Sequence, residues 1–571
     1  MIPISQYDVD PAVPAITDRE IRRRWAEFRG RIRMVSGNRL QQVLGRLFGP
    51  EDGLRYRLVR LVGRPVLRLV RRLRGTTPPA RRTVLHLDVP DEVYFPVNLR
   101  ENLLERPDLA PRDAVSSSIT VVRIDESTTE SRQVVDGANR AVRSATTDWV
   151  LLADVDTLEG DVEFAGRALL ARAAEGVDIV YADEFGPHPH RPILKPPYIA
   201  PHTLLSYNVV GRPALVRRTT WEDLGGLRPD AGWAFEHDFY LRASEAGVTF
   251  AHVPTILHAG RSRAGFEASH IDGDTVRVVR DALERRGWGG VVTTGGLPGL
   301  AHWRPPVPDP APRVDIVIPT RDRVDLMRRC IDSITARTTY SNYDIIILDN
   351  DSKDPETLAY FREGPYRVVP CPGPFNYAWI VNRGVAHSTA DFVITLNNDT
   401  IVVTPDWIER LVAVAALPDV GFVGACLLDE DGQREHESIV AVPYPQHLRT
   451  DSNYPNDDHF ARAVRDVVAV TGAIQMVRRD WWSHLGGMDE ELKVTMNDVD
   501  ICLRSQVEGR YVVYLPDVQL YHHVSSSRGS LDPLDDRNRF IRRWDIFGNF
   551  RDPYFPESLV LLGEQMYYRF R

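Results

Sequence analysis

The sequence predicts an α/β protein of two tandem Rossmann-like domains with mostly parallel sheets, preceded by a basic helical segment. Three observations carry this reading. A strand-helix-strand pattern opens the second half, blocks of that half recur in the first, and a proline-crowded stretch separates the two. The chain has 571 residues, long enough for several cores, since a common domain size is ~150 residues.

Composition sets the broad class. Apolar residues make up 43% and charged residues 26%, as in a folded globular protein rather than a disordered one. A net charge of -9 gives no reason to expect a nucleic-acid partner. No apolar run approaches the ~18 residues that span a bilayer. The N-terminus lacks the charged, apolar and small-residue zones of a secretory signal. A cytoplasmic protein is therefore expected. Cys330, Cys371, Cys426 and Cys502 show no CxxC or Cys/His zinc spacing, so buried, reduced thiols are expected.

The elements follow in chain order. Residues 1–80 form the basic segment. Its core, LRYRLVRLVGRPVLRLVRRLRG, sets arginines among leucines and valines at helical spacing, with Gly63 and Pro65 splitting it into two short helices. Such a helix fits an anionic membrane surface; it equally fits a cap packed on the next domain. Residues 81–300 form a first α/β domain, with TVLHLD and SITVVRIDES as candidate first strands. Residues 301–313 contain WRPPVPDPAPR, the composition of a stiff linker. Residues 314–571 form the second domain. VDIVIPT is a β-branched apolar run, DLMRRCIDSITART a helical pattern, and YDIIILDN a second apolar run. That order is a βαβ unit with parallel strands.

The halves repeat each other. ANRAVRSATTDWVLLADVDTL aligns without a gap on VNRGVAHSTADFVITLNNDTI, placing Asn139 on Asn382, Asp148 on Asp391 and Asp156 on Asp399. VRRTTWEDLGG matches VRRDWWSHLGG, and FEHDFYLR lies over NDVDICLR. His258 falls where QLYHHV holds His522. Ordinary strand-turn-helix patterning explains the apolar positions but not the recurring carboxylates and histidine. Duplication of one α/β domain explains both.

Each chemical motif is weak alone. LNNDT ends an apolar run, where the carboxyl end of a strand borders a ligand crevice and an acid can hold a divalent cation; Asp and Asn there also simply make turns. On a helix, NDVDICLR puts Asp500 and Arg504 on one face as a structural pair. Asp498 is left to face the crevice as a general base, or to serve only as a helix-start carboxylate. YHHVSSSRG offers two histidines after a strand-like run, one for a metal and one for packing.

Taken in order, VDIVIPTRDR, IIILDNDS, FNYAWIVNRGVA, LNNDT, AVTGAIQMVRRDWWSHLGGMDEEL, NDVDICLR, LYHHVSSSRG and RRWDIFGNFRDPYF resemble the family 2 glycosyltransferases of bacterial polysaccharide synthesis, including rhamnosyltransferase-like members. The resemblance covers about Val314 to Tyr554. It implies a GT-A fold in each copy and an inverting transfer from a nucleotide-diphosphate sugar, with Mg²⁺ or Mn²⁺ as cofactor. Pro319, Thr320 and Arg321 would line the nucleotide pocket and Asp349 would face the base. Asn382, Asn397 and Asn398 would lie by the nucleotide sugar, with Gly472 and Ala473 as the floor of the donor-sugar site. Asp399 would bind the metal with His522 or His523, the repeat favouring His522. Asp498 would be the catalytic base. Two positions depart from the family pattern: Asn397 replaces the first acid of Asp-x-Asp, and Asn497 precedes the base where the family has an acid.

The first copy keeps Asp154 and Asp156 as metal acids, Glu236 at the base position and His258 at the metal position. It reads either as a second transferase site or as a copy that holds acceptor glycan. The implied partners are a nucleotide sugar, a lipid-linked or polymeric glycan acceptor and an anionic membrane surface, with the protein peripheral on the inner face of the plasma membrane. A non-catalytic glycan-binding protein and a nucleotidyltransferase are the rival classes. The first has no need for converging acids and histidine, and the second usually carries a Gly-rich basic loop that IPTRDRVDL lacks.

Overall fold

The computed structural model describes residues 109–568 except 127–129, 156, 158, 174–175, 186–191, 260–267, 443, 450–457, 524–532, 547–549 and 563–564. The basic segment at 1–80, the TVLHLD stretch and Asp156 lie outside the described residues, as does the side chain of His258. The described residues fall in one compact unit. Among them no helix is long and apolar enough to cross a membrane.

The first half runs β1 (Ile119–Ile124), α1 (Ser131–Arg143), β2 (Trp149–Asp154), β3 (Ile179–Phe185), β4 (Pro192–Ile193), α2 (Pro201–Ser206), β5 (Ala214–Arg217), α3 (Phe235–Glu245) and β6 (Phe250–Ala259). Its sheet has the order β1-β2-β5-β3-β4, with β6 beside β3. A hairpin of β7 (Val291–Thr294) and β8 (Ala301–Arg304) follows, so the proline-rich stretch begins as a strand.

The second half contains β9 (Val314–Thr320), α4 (Val324–Arg337), β10 (Tyr343–Asp349), β11 (Arg367–Pro370), α5 (Tyr377–Ala386), β12 (Phe392–Leu396) and β13 (Thr400–Val402). Then come β14 (Val420–Leu428), β15 (Arg434–His436), β16 (Ser438–Ala441), β17 (Pro445–Leu448), β18 (Arg465–Asp466), β19 (Ile474–Arg478), α6 (Asn497–Val507) and β20 (Tyr511–His522). The order is β11-β10-β9-β12-β19-β14-β20-β13. The expected parallel βαβ unit is present, with Thr320 opposite Asp349 at the ends of β9 and β10.

The sheets are mixed rather than mostly parallel. β19 runs antiparallel to both β12 and β14, and β5 runs antiparallel to both β2 and β3. A buried apolar run has the same composition whichever way it points, so periodicity carries no direction. The SITVVRI run is a strand, as expected. It forms β1, paired directly with β2, as β9 is paired with β12.

Several side-chain contacts occur in both halves. Asn139 clamps the backbone of Leu227 through its amide, 2.8 and 3.1 Å, and Asn382 clamps Met488 likewise, 2.9 and 2.8 Å. Arg242 bonds Asp238 and the carbonyls of Leu224 and Gly226; Arg504 bonds Asp500 and the carbonyls of Leu485 and Gly487. The second glycine of each Gly-Gly pair is explained by this clamp. Gly226 and Gly487 have φ +71° and +74°, and a Cβ on either would lie 2.4 Å from the clamping asparagine's Oδ1.

One apolar core runs through both halves, from Val122 to Leu520. A polar joint reinforces it where α2 meets β18. The buried Asp466 carboxylate accepts from the N–H groups of His202 and Thr203, at 3.0 and 2.9 Å, and lies 2.7 Å from His202 Nδ1. All four cysteines are free and buried, as the sequence predicts.

Candidate functional site

The carboxyl ends of β9, β10 and β12 meet at one edge of the second sheet. Thr320 closes β9, and its hydroxyl accepts from the Asn398 amide at 2.9 Å. Asp349 closes β10 and accepts from the N–H of Ser352 at 2.9 Å. Past Thr320 the chain turns sharply: Arg321 is exposed, and Asp322 and Arg323 take left-handed conformations, φ 50° and 74°. Such strain persists where surrounding bonds hold it. Here the Asp322 carboxylate accepts from the N–H groups of Lys353 and Asp354, at 2.6 and 2.7 Å.

The turn after β12 carries Asn397, Asn398 and Asp399. Because β13 pairs with β20, Thr400 lies opposite His522, which brings His522 Nε2 to 3.4 Å from Asp399 Oδ1. On its other side, His522 Nδ1 lies 3.5 Å from Glu435 Oε2. Burial alone would push this imidazole down, but the two carboxylates outweigh it and hold its pKa at about 9. His523 turns away: its N–H donates to the Asp399 carbonyl and its ring faces the exposed Glu430 at 3.1 Å. Of the two candidate histidines, His522 is the one that faces Asp399.

Asp399 is buried, and its Oδ1 accepts no hydrogen bond. An orphaned buried carboxylate oxygen beside an imidazole nitrogen fits a divalent cation. Among the described residues no cluster of three or more His, Cys, Asp or Glu is arranged to hold a metal. The fit therefore rests on Asp399 and His522, with the remaining ligands coming from water or substrate, as Mg²⁺ commonly has.

Asp498 opens α6. The residue before the helix, Met496, is left-handed at φ 64°. The Asp498 carboxylate accepts from the N–H groups of Gly472 and Val499, at 2.8 and 2.9 Å. Asn497 turns inward and donates to the Leu492 carbonyl at 3.0 Å, leaving Asp498 as the half-buried acid at the cavity wall. Asp500 pairs with Arg504 at 2.8 Å, and also with Arg543 and the Trp544 indole, so its role is structural.

Gly472 ties the two turns together. Its carbonyl accepts from the hydroxyls of Tyr377 and Thr395, and the neighbouring Ala473 carbonyl accepts from the Asn397 N–H at 3.0 Å. A Cβ on Gly472 would meet the Tyr377 hydroxyl at 3.3 Å and Asp498 Cβ at 3.4 Å. A cavity of about 300 Å³ opens beside them, lined by Asn397, Glu435, His447, Arg449, Asp498 and His522 among others.

Sequence reasoning missed the far wall of this cavity. Glu435 and His436 lie on β15, His447 on β17, and Arg449 just beyond it. The rings of His436 and His447 approach to 2.8 Å between their Nδ1 atoms. Burial holds both below their usual pKa, so they stand as neutral partners. The REHES run was the available signal, but nothing local says it folds over Asp498. Conversely, Asn382 does not reach the cavity; its amide is spent on Met488.

Residues 315–486 match the family described as Glycosyl transferase family 2. This family match lies wholly within the second half. The chain is 32% identical over 418 residues to the O-antigen biosynthesis protein RfbC of Myxococcus xanthus, covering 69% of this chain and 32% of that protein. It is 32% identical to the uncharacterized protein y4gI of Sinorhizobium fredii, covering 61% and 40%. It is 27% identical over 209 residues to an N-acetylglucosaminyl-diphospho-decaprenol L-rhamnosyltransferase of Mycobacterium tuberculosis, covering 32% and 68%. The chain thus spans less than half the length of the first two relatives. A crystal structure of GalNAc-T7 with UDP, GalNAc and Mn²⁺ is similar at a TM-score of 0.36 and 16% identity over 44% of this chain and 50% of that one. That likeness is too slight to carry an argument.

The groups that the sequence repeat aligns in the first half are arranged differently. Glu236 opens α3 as Asp498 opens α6, but it is not a free base. Arg212 grips both its oxygens, at 2.8 and 2.9 Å, reaches Glu126 at 2.7 Å, and is paired with Asp154 as well. Arg212 as a whole residue is 4% exposed. Burial pushes its pKa down, but the surrounding carboxylates raise it further, so it stays charged. Asp154, expected as a metal ligand, thus has an arginine beside it.

Proposed function

We propose that this protein transfers a sugar from a nucleotide-diphosphate sugar to a hydroxyl of a cell-surface glycan, at the second-half site, with inversion. The observation that carries this is the convergence of Asp498 and His522 on one cavity at the carboxyl ends of the strands. The relatives' names, an O-antigen biosynthesis protein and a rhamnosyltransferase acting on a lipid-linked sugar, support the acceptor class.

The residues divide the work. Thr320, Arg321 and Asp349, at the ends of β9 and β10, receive the nucleotide. Gly472 and Ala473 floor the donor-sugar site. Asp399 and His522 would hold Mg²⁺ or Mn²⁺, which would supply positive charge to the departing diphosphate oxygens. Asp498 takes the proton from the acceptor hydroxyl as that oxygen attacks the anomeric carbon from the face opposite the leaving group. The bond to the acceptor forms as the bond to the diphosphate breaks, which inverts the centre. The Gly472 and Val499 N–H groups hold the Asp498 carboxylate in one orientation, so little reordering is needed at the reaction step.

We also read the two halves as copies of one GT-A unit. The shared strand order, the paired asparagine clamps and the matching arginine bridges support this. The test of function is nucleotide release from a panel of UDP-, GDP- and dTDP-sugars with lipid-linked acceptors. Acceptor-dependent release of one nucleoside diphosphate is expected. Synthesis of a nucleotide sugar, or glycan binding without release, would favour the rival classes.

A further inference from the structure

We infer that the first half carries its own cation: Arg212 fills the place that the second half leaves for donor and metal, so this half takes neither a divalent cation nor a nucleotide diphosphate. This rests on the second-half reading for what a filled site means, and on sheet register for which residues correspond.

The correspondence is read from pairing. Trp149 pairs with Arg217, and Phe392 pairs with Arg478. Counting back equally along β5 and β19 sets Arg212 at the position of Ala473, and Gly211 at that of Gly472. Trp149 also pairs with Ile119, and Phe392 with Val314. Counting forward equally sets Glu126 at the position of Arg321. The charges are thus exchanged between the halves. Where the second half has an exposed arginine at the nucleotide edge, the first has an acid. Where the second has a small floor residue, the first has a guanidinium.

That guanidinium meets Glu126, Asp154 and Glu236 together. The latter two correspond to Asn397 and Asp498. A diphosphate entering here would meet those acids with their cation already committed. A metal ion would have to displace a buried arginine from charged hydrogen bonds, which are among the strongest a protein makes. The loop carrying Arg212 is itself fastened. Buried Lys195 donates to the Val210 carbonyl at 2.6 Å and pairs with Glu184 at 3.2 Å. Swinging Arg212 out would leave the buried Glu236 carboxylate without its cation.

The test is Mn²⁺ binding to the full chain, followed by electron paramagnetic resonance with and without UDP or dTDP. One equivalent is expected, lost in Asp399→Asn and kept in Glu236→Gln. Replacing the arginine by the second-half residue, Arg212→Ala, is expected to add a second equivalent, which Glu236→Gln in the same background weakens. Two equivalents in the unmodified protein, or loss of one in Glu236→Gln alone, would overturn the inference. Should the unmodified protein bind none, the second-half metal reading fails instead, and the Arg212→Ala gain still decides this one: no gain in the folded variant contradicts it. Arg212→Gln, which keeps hydrogen bonds but drops the charge, serves if Arg212→Ala does not fold.

Discussion

At the scale of single residues, the site depends on small groups held by named neighbours. Glu435 is the least expected of them. Its Oε2 is buried without a hydrogen bond, 3.5 Å from His522 Nδ1, while the other ring nitrogen faces Asp399. A carboxylate behind a metal-binding imidazole fixes which nitrogen carries the proton and how the ring is turned. Glu435→Gln should therefore weaken Mn²⁺ binding by about 10-fold or more, measured by Mn²⁺ titration, without loss of fold by circular dichroism. The sequence exposed Asp399, Asp498 and His522 because each sits in a recurring motif. It hid Glu435, His447 and Arg449, because hairpin residues have no periodicity and only tertiary folding brings them over Asp498. It also hid Arg212, one arginine among many until its partners are seen.

At the scale of elements, the turns matter more than the strands. The Asn382 clamp and the left-handed Gly487 lock the segment that leads into α6. Gly487→Ala should destabilise by more than ~1 kcal/mol, since it combines a positive φ with a steric clash. Asn382→Ala should lower the melting temperature yet leave nucleotide affinity near normal, as read by calorimetry. A large loss of nucleotide affinity at unchanged stability would instead restore Asn382 to the donor site. The strands were legible from their apolar runs, as VDIVIPT and YDIIILDN show. Their directions were not, and β19 accordingly stands antiparallel in a sheet expected to be mostly parallel.

At the scale of the whole molecule, the two halves depend on a buried joint. His202, with Asp466 on one side and Asp419 at 3.6 Å on the other, is packed between Trp288, Trp303 and Tyr511. Burial alone would push this imidazole down; the two aspartates outweigh it and hold it at about 10. A histidine raised from an unfolded value of about 6.5 contributes stability that is fully present below that value. It is lost as the pH rises through about 10. Thermal stability should therefore fall between those limits, and this slope should flatten in Asp466→Asn. That variant should also be less stable at neutral pH by about 3–5 kcal/mol, because Asp466 also satisfies the N–H groups of His202 and Thr203. The recurring blocks were visible in the sequence, but this joint was not, since its partners lie far apart in the chain.

The proposed transfer depends most directly on Asp498 as the base. The deciding measurement compares Asp498→Asn with the unmodified protein in nucleotide binding and in acceptor-dependent sugar transfer, using the donor found by the panel. Asparagine keeps the size and, through its one amide oxygen, one of the two bonds from the Gly472 and Val499 N–H groups, but it cannot take a proton, so donor affinity should be retained while transfer falls by about 100-fold or more. Near-normal transfer by that variant would contradict the assignment and move the chemistry to another group in the cavity.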